Sequence, residues 1–261
     1  MTSKSTTPTP GDSYVQSFAR GLSVIRAFGP QHPQMTLSEV AAATGLTRAG
    51  ARRILLTLEH LGYVVAEDRY FRLTPKILDL GYSYLSAIPL WHLASPFMEE
   101  VARQTHESCS VSVLDETEIV YILRVSTHKI MSVNLSVGSR LPAWVTSMGR
   151  VLLGSLPPDE LEKILSQSAI VAHTPNTVTD PAALRAVIAQ TRNQGYGFVE
   201  RELEEGLQSI AVPIIDRSHH VVAAMNVSTY SSEENRRKLL EEFLPVLQRA
   251  AGGLSQVLQR R

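Results

Sequence analysis

Arg48, Arg52 and Arg53 stand in the segment TRAGARRILLTLEH, and each carries a planar guanidinium that can bond two acceptors at once. Wound as a helix, the segment turns Ala51, Ile54, Leu55, Leu58 and Leu61 into one apolar arc. The arginines fall in the first two turns of the other arc, with Arg48 nearest the apolar side. Such a face reads a guanine edge, pairs with phosphate, or is a solvated surface, and spacing alone leaves the three open. Ala49 and Gly50 beside them are small enough for close backbone approach or contact with a thymine methyl, and Thr47 and Thr57 flank the same arc.

Other chemistry is scarce. The eight histidines are scattered and form no HxH or HExxH arrangement, and there is no CxxC, no GxSxG elbow and no phosphate-binding glycine loop. Glu200, Glu202, Glu204 and Glu205 read as a solvated loop rather than an acid–base pair. His219 and His220 follow the Asp216-Arg217 turn and read as a solvated loop as well. The single cysteine, Cys109, excludes an internal disulfide, fits the reducing cytoplasm and reads as a small buried hydrophobe. No cofactor and no metal are expected. An enzyme tethered to a DNA-binding segment is the weaker alternative, and a DNA-binding structural protein without a ligand is a third.

The elements that would carry the arginines are marked by caps and breaks. VQSFARGLSVIRAF places Val15, Phe18, Leu22, Ile25 and Phe28 on one stripe of a first helix, which Gly29-Pro30 ends. Thr36 and Glu39 make a capping box for a short second helix, Gly45 ends it, and Thr47 caps the third. The strands of YVVAEDRYFRL pair about a Glu67-Asp68 turn, giving a helix-turn-helix with a wing. Arg69 and Tyr70 of the wing, and Thr36 and Ser38 at the start of the second helix, can reach the backbone of a duplex. Thr74-Pro75 opens a further helix taken as a connector over 75–89. Charge follows this division: residues 1–76 hold nine Lys/Arg against five Asp/Glu, a net of +4, and the remainder sixteen against twenty, a net of −4.

From about residue 90 the pattern is α+β. LWHLASPFMEEVARQTHES reads as a helix; CSVSVLD, EIVYILRVS and KIMSVNLS as alternating strands; GSRLPAWVTSMGRVLLGSL as a loop running into a helix. PDELEKILSQ and DPAALRAVIAQTRNQG follow as helices, GYGFVERELEEGLQSIAVPIID and VVAAMNVST as strands, and the chain closes on a long helix from Ser232. Helices flanking an antiparallel sheet with a central pocket are the expected packing. Residues 1–14 read as a polar disordered tail without a secretory signal, and no apolar run is long enough to span a membrane.

Four segments together resemble the IclR family of bacterial transcriptional regulators: SFARGLSVIRAF, TLSEVAAATGLTRAGARRILLTLEHLGYV, GSRLPAWVTSMGRVLLGSL and GYGFVERELEEGLQSIAVPI. TSMGRVLL and the opening helix are similar to the subgroup controlling aromatic catabolism through the β-ketoadipate pathway. The resemblance implies a winged helix-turn-helix domain over 15–74, a linker helix over 75–89 and a GAF-like α/β effector-binding domain over 90–261. It implies a double-stranded DNA operator, pairing as a homodimer or a dimer of dimers, and no membrane partner. The apolar faces of Phe18, Leu22 and Ile25 and of Leu78, Tyr82 and Leu85 would supply the pairing surface. It further implies a small carboxylate effector, with protocatechuate, β-ketoadipate and 4-hydroxybenzoate as candidates. Carried over by position, the effector site takes Ser147, Met148 and Gly149 at a helix start, Val199 and Glu200, Ser209, Asn226 and Ser228. Val199 and Ser209 depart from the acidic residue and cysteine often found there, which weighs against a small keto acid. Trp144, Tyr121 and Met148 suit an aromatic face or an ordinary core, and Arg124 and Arg150 are candidate counter-charges.

Overall fold

The computed structural model describes residue 11 and residues 14–87, 89–127 and 135–259. Most of the expected tail, and most of the expected strand KIMSVNLS, lie outside the described residues. The chain divides into two units between Tyr84 and Leu85.

The first unit holds α1 (Gln16–Ala27), β1 (Met35–Thr36), α2 (Leu37–Thr44), α3 (Arg48–His60), β2 (Val64–Glu67) and β3 (Tyr70–Leu73). The expected caps form. The Thr36 amide donates to Glu39 Oε2 at 2.7 Å, and the Glu39 amide donates to Thr36 Oγ1. Gly45 takes φ +66°, a left-handed conformation that turns the chain sharply between α2 and α3. The core gathers Val24, Met35, Val40, Ala51, Leu55, Leu58 and Val64.

Details of this unit differ from expectation. Leu61 is exposed because it is the C-cap residue of α3, already turning off the apolar arc. The wing turns at Asp68-Arg69, one residue later than expected, with Asp68 at φ +54°. The two-residue β1 pairs with β3 and was not legible, being shorter than any period. On α1 the buried residue is Val24, while Val15, Phe18 and Leu22 of the expected stripe face outward. Pro75–Ile77 forms a 3-10 turn leading into α4 (Leu78–Ala87), whose Leu78, Leu80, Tyr82 and Tyr84 are exposed.

The second unit begins with α5 (Pro89–Leu93) and α6 (Ser95–Thr105), where a single helix was expected. Pro96 lacks the amide needed to continue the helical ladder, so the chain restarts there. Next come β4 (Cys109–Asp115), β5 (Glu118–Val125), β6 (Arg140–Pro142), α7 (Ser147–Gly154), α8 (Pro158–Gln167), α9 (Pro181–Gln194), β7 (Gly197–Glu200), β8 (Leu207–Ile215), β9 (Val221–Tyr230), α10 (Glu233–Lys238) and α11 (Leu244–Gln259). β6 occupies part of an expected loop. The closing helix is interrupted by one π-helical stretch, Leu239–Phe243, between α10 and α11.

The sheet runs β6-β5-β4-β9-β8-β7, every neighbour antiparallel. Strand alternation splits its side chains between two cores. Cys109, Val111, Ile122, Ile210, Val212 and Met225 pack with α5, α6 and α11, whereas Tyr121, Ala211 and Ala224 pack with Trp144, Met148, Leu152, Leu184 and Ile188. The result is the α+β domain that the residue pattern predicts.

Cys109 sits in the first of these cores, fully buried, and burial pushes its thiol up to about 12. Since the thiolate is the reactive form, Cys109 is expected to resist a disulfide-exchange reagent at mildly alkaline pH and to react only when denaturant opens the domain. Rapid labelling of the native protein would contradict this placement.

Candidate ligand pocket and nucleic-acid interface

In the first unit, α3 places Arg48, Arg52 and Arg53 on the solvent side, opposite buried Ala51, Leu55 and Leu58. Among the described residues none of the three arginines pairs with a carboxylate, so their charge stays available to phosphates and base edges. Ala49 is exposed beside them and Gly50 half-buried. Thr47 is committed to capping: the Gly50 amide donates to its Oγ1 at 3.1 Å. The Thr57 hydroxyl donates back to the Arg53 carbonyl at 2.8 Å. Thr36 is likewise held by Glu39, leaving Ser38 as the exposed hydroxyl of the α2 start. In the wing, Arg69 donates to Tyr70 Oη at 3.0 Å with its guanidinium over the ring. The Glu67–Arg72 pair ties the two strands together and holds that carboxyl below the usual range.

In the second unit a pocket lies on the α7 side of the sheet. Its floor follows from register. Ser110 stands opposite both Arg124 and Asn226, and Ser209 opposite both Ser228 and Val199, so a row from β5 to β7 points to one face. The walls are Leu135, Leu141, Val145, Met148, Leu203 and Leu207, and Ser108, Tyr121, Thr146 and Ser147 complete the lining. The cavity is about 40 Å³, a narrow slot suited to a small molecule.

Electrostatics along the slot are uneven. Arg124 donates from Nη1 to Ser110 Oγ at 3.0 Å, and among the described residues no carboxylate pairs with it. Burial pushes the Tyr121 phenol up to about 12, against the opposing effect of the Arg124 charge. That phenol is therefore a neutral hydrogen-bond donor at physiological pH. Further along, Ser209 Oγ donates to Ser147 Oγ at 2.9 Å, and Asn226 Nδ2 donates to Ser228 Oγ at 3.1 Å. Ser147 and Met148 open α7, and a helix leaves its first amides without intrahelical acceptors. The Gly149 amide is already used, donating to Thr146 Oγ1 at 3.2 Å.

Of the expected effector residues, Tyr121, Arg124, Ser147, Met148, Val199, Ser209, Asn226 and Ser228 line this pocket together. Trp144, Gly149, Arg150 and Glu200 do not. Trp144 is buried in the core and stacks on His173 at 5.9 Å. Arg150 is buried in a two-bond pair with Glu202, which also corrects the reading of Glu202 as solvated. Glu200 lies 3.4 Å from Arg236 across the ion pair. Ser108, Leu135, Leu141, Val145, Thr146, Leu203 and Leu207 were not foreseen. The leucines carried no signal distinct from core leucines, although Ser108 precedes an alternating strand whose next small polar positions, Ser110 and Ser112, share its face. Among the described residues no cluster of metal-ligating side chains occurs, and no helix is long and apolar enough to cross a membrane.

A winged helix-turn-helix joined to a sheet domain with a small, partly polar pocket is the architecture of a ligand-binding transcription factor. Residues 17–68 match the IclR helix-turn-helix domain, and residues 82–256 match the bacterial transcriptional regulator IclR C-terminal domain. The chain belongs to the IclR family of transcriptional regulators; it is a DNA-binding regulator and not an enzyme. It is 43% identical over 242 residues to the Pca regulon regulatory protein of Pseudomonas putida, covering 92% of this chain and 83% of that one. It is 32% identical over 248 residues to the p-hydroxybenzoate hydroxylase transcriptional activator of Acinetobacter baylyi, covering 93% and 92%. The crystal structure of an IclR homolog from Microbacterium hydrocarbonoxydans, complexed with 4-hydroxybenzoate, superposes with a TM-score of 0.83 at 27% identity, covering 94% of this chain and all of that one.

Proposed function

We propose that this regulator senses a small aromatic acid and controls genes for its breakdown in the bacterial cytoplasm. One observation carries the reading: Arg124 offers a guanidinium that no carboxylate among the described residues pairs with, at the side of a slot walled by Leu135, Leu141, Val145 and Met148. A ring fills the slot, its carboxylate meets Arg124, and a ring hydroxyl meets the serine and asparagine group of Ser147, Ser209, Asn226 and Ser228. The neighbouring relatives act in aromatic-acid regulation and a similar fold binds 4-hydroxybenzoate, which supports the same reading. Calorimetry against protocatechuate and 4-hydroxybenzoate tests it; the absence of heat from both with the folded protein, or heat from the aliphatic β-ketoadipate alone, rejects it.

The operator is read by paired copies, since one recognition helix spans only a half-site. The exposed faces of α1, with Phe18 67% accessible, and of α4, with Leu78 69% and Tyr82 61%, support pairing through these helices. Leu85 is no part of that surface, because it is partly buried against the core of its own unit. A gel-filtration mass of the 28.7 kDa monomer at micromolar concentration would refute the dimer. Effector binding then shifts the population of DNA-competent arrangements through the 75–87 connector.

A further inference from the structure

Arg150 and Trp144, which residue type marks as ligand contacts, lie behind the pocket and join one buried network. Arg150 and Glu202 side chains are 3% and 8% accessible. Arg150 Nη1 and Nη2 donate to Glu202 Oε1 and Oε2 at 2.7 and 2.6 Å, and Arg150 Nε donates to the Trp144 carbonyl at 3.0 Å. Glu202 Oε2 also accepts from the Val178 amide at 3.1 Å. The Thr177 hydroxyl donates to the Glu202 carbonyl at 2.7 Å, and the Thr174 hydroxyl lies 2.5 Å from the Arg201 carbonyl. Arg201 itself is held at φ +59°, a conformation a non-glycine residue keeps only under constraint. Four segments are thereby fixed to one another: the 3-10 turn before α7, α7 itself, the stretch 173–178 and the loop between β7 and β8. That loop bears Leu203 and runs into Leu207, while the start of α7 bears Ser147 and Met148, and all four line the slot.

We propose that Arg150 and Glu202 are positioning residues that set the width of the slot and hence which ring substituents it accepts. The inference rests on the aromatic-acid reading of the site. Neither side chain lines the slot; the pair acts by holding Leu203 and Leu207 against the opposite wall. A buried ion pair stabilises little relative to well-packed apolar residues, yet it holds geometry through bonds of fixed direction. Without it the wall retreats and the site loses preorganisation.

The test replaces both partners, Arg150→Met with Glu202→Leu, so that no buried charge is left unpaired. Calorimetry compares 4-hydroxybenzoate with the bulkier 4-ethoxybenzoate in wild type and double variant. Affinity for 4-hydroxybenzoate is expected to fall by about tenfold or more, and the preference for it over the ethoxy compound to narrow by a similar factor. Wild-type affinity and wild-type preference in the folded double variant overturn the proposal, since a merely structural pair would change the melting temperature and leave the preference alone. If the double variant does not fold, Thr174→Val, which loosens the same loop without touching a charge, is expected to narrow the preference in the same direction, and an unchanged preference there overturns the proposal. Failure of the wild-type protein to bind either probe instead rejects the aromatic-acid reading, and this inference with it.

Discussion

Gly149→Ala is expected to destabilise the ligand-binding unit by at least about 3 kcal/mol, the upper end of ordinary overpacking costs. A Cβ built at this position lies 2.0 Å from the carbonyl oxygen of Ala143 and 2.5 Å from its carbonyl carbon and Cα. Those atoms are backbone, and Ala143 is itself fully buried in the 3-10 turn that precedes α7. No side-chain rotation can relieve the clash. The start of α7 has to lift away from the turn, carrying Ser147 and Met148 out of the pocket lining. Stability and ligand binding should therefore fall together, the first as a drop in melting temperature of roughly 6–12 °C for a domain of this size. Gly252→Ala in α11 is the control of opposite sign. Its added methyl meets nothing within 4 Å, and alanine favours a helix over glycine by about 1 kcal/mol, so the melting temperature should hold or rise. A Gly149→Ala protein that melts with wild type would show that α7 does not approach Ala143 so closely.

The same glycine shows where reading residues along a chain succeeds and where it stops. Local signals reported local structure faithfully. Thr36 and Glu39 announced a capping box, Thr47 a cap, Gly45 a left-handed turn and Asp180 the start of α9, and each forms as its chemistry requires. Errors concentrated where tertiary contacts decide. Helical period gives α1 one apolar stripe but not which residue the domain buries: Val24, off that stripe, packs inside, while Phe18 and Leu22 stay on the outward face expected to pair. Gly149 read as a ligand-facing amide, whereas its role is set by a backbone six residues earlier that only folding brings near.

At the pocket, the family resemblance supplied Ser209, Asn226 and Ser228, and side-chain chemistry supplied Tyr121 and Arg124, which line it, along with Trp144 and Arg150, which do not. Asn226 and Ser228 share a face by alternation and Ser209 joins them by antiparallel register, whereas Tyr121 and Arg124, three residues apart, share it only because the β4–β5 register shifts between Val111 and Ser112. Trp144 and Arg150 were chosen because an indole suits a ring and a guanidinium suits a carboxylate. Both functional groups find those same partners inside the protein, His173 and Glu202. Residue type thus states which chemistry a side chain satisfies, but not whether ligand or protein supplies the other half. Glu202 made the mirror-image error, since a run of four nearby acids looked solvated until one was found to answer Arg150.

Arg124→Met tests the other half of that distinction, for among the described residues no carboxylate pairs with Arg124. Methionine keeps most of the aliphatic stem, so packing along β5 is largely preserved. The loss is one donor to Ser110 Oγ, worth about 1 kcal/mol of stability, and the positive charge at the slot. A hydrogen bond to a charged group contributes about 1.5–3 kcal/mol, so affinity for an aromatic carboxylate should weaken by roughly 10- to 150-fold. The neutral amide of the same acid, which has no charge to pair, should bind wild type and variant about equally. The ratio of acid to amide affinity is therefore the decisive measurement, independent of any general loosening of the fold. Arg124→Lys should fall between, because an ammonium restores the charge without the planar fork. Equal weakening of acid and amide would mean that Arg124 shapes the slot instead of holding a carboxylate. The anchor would then lie at the start of α7, where the Ser147 and Met148 amides and Ser147 Oγ are donors.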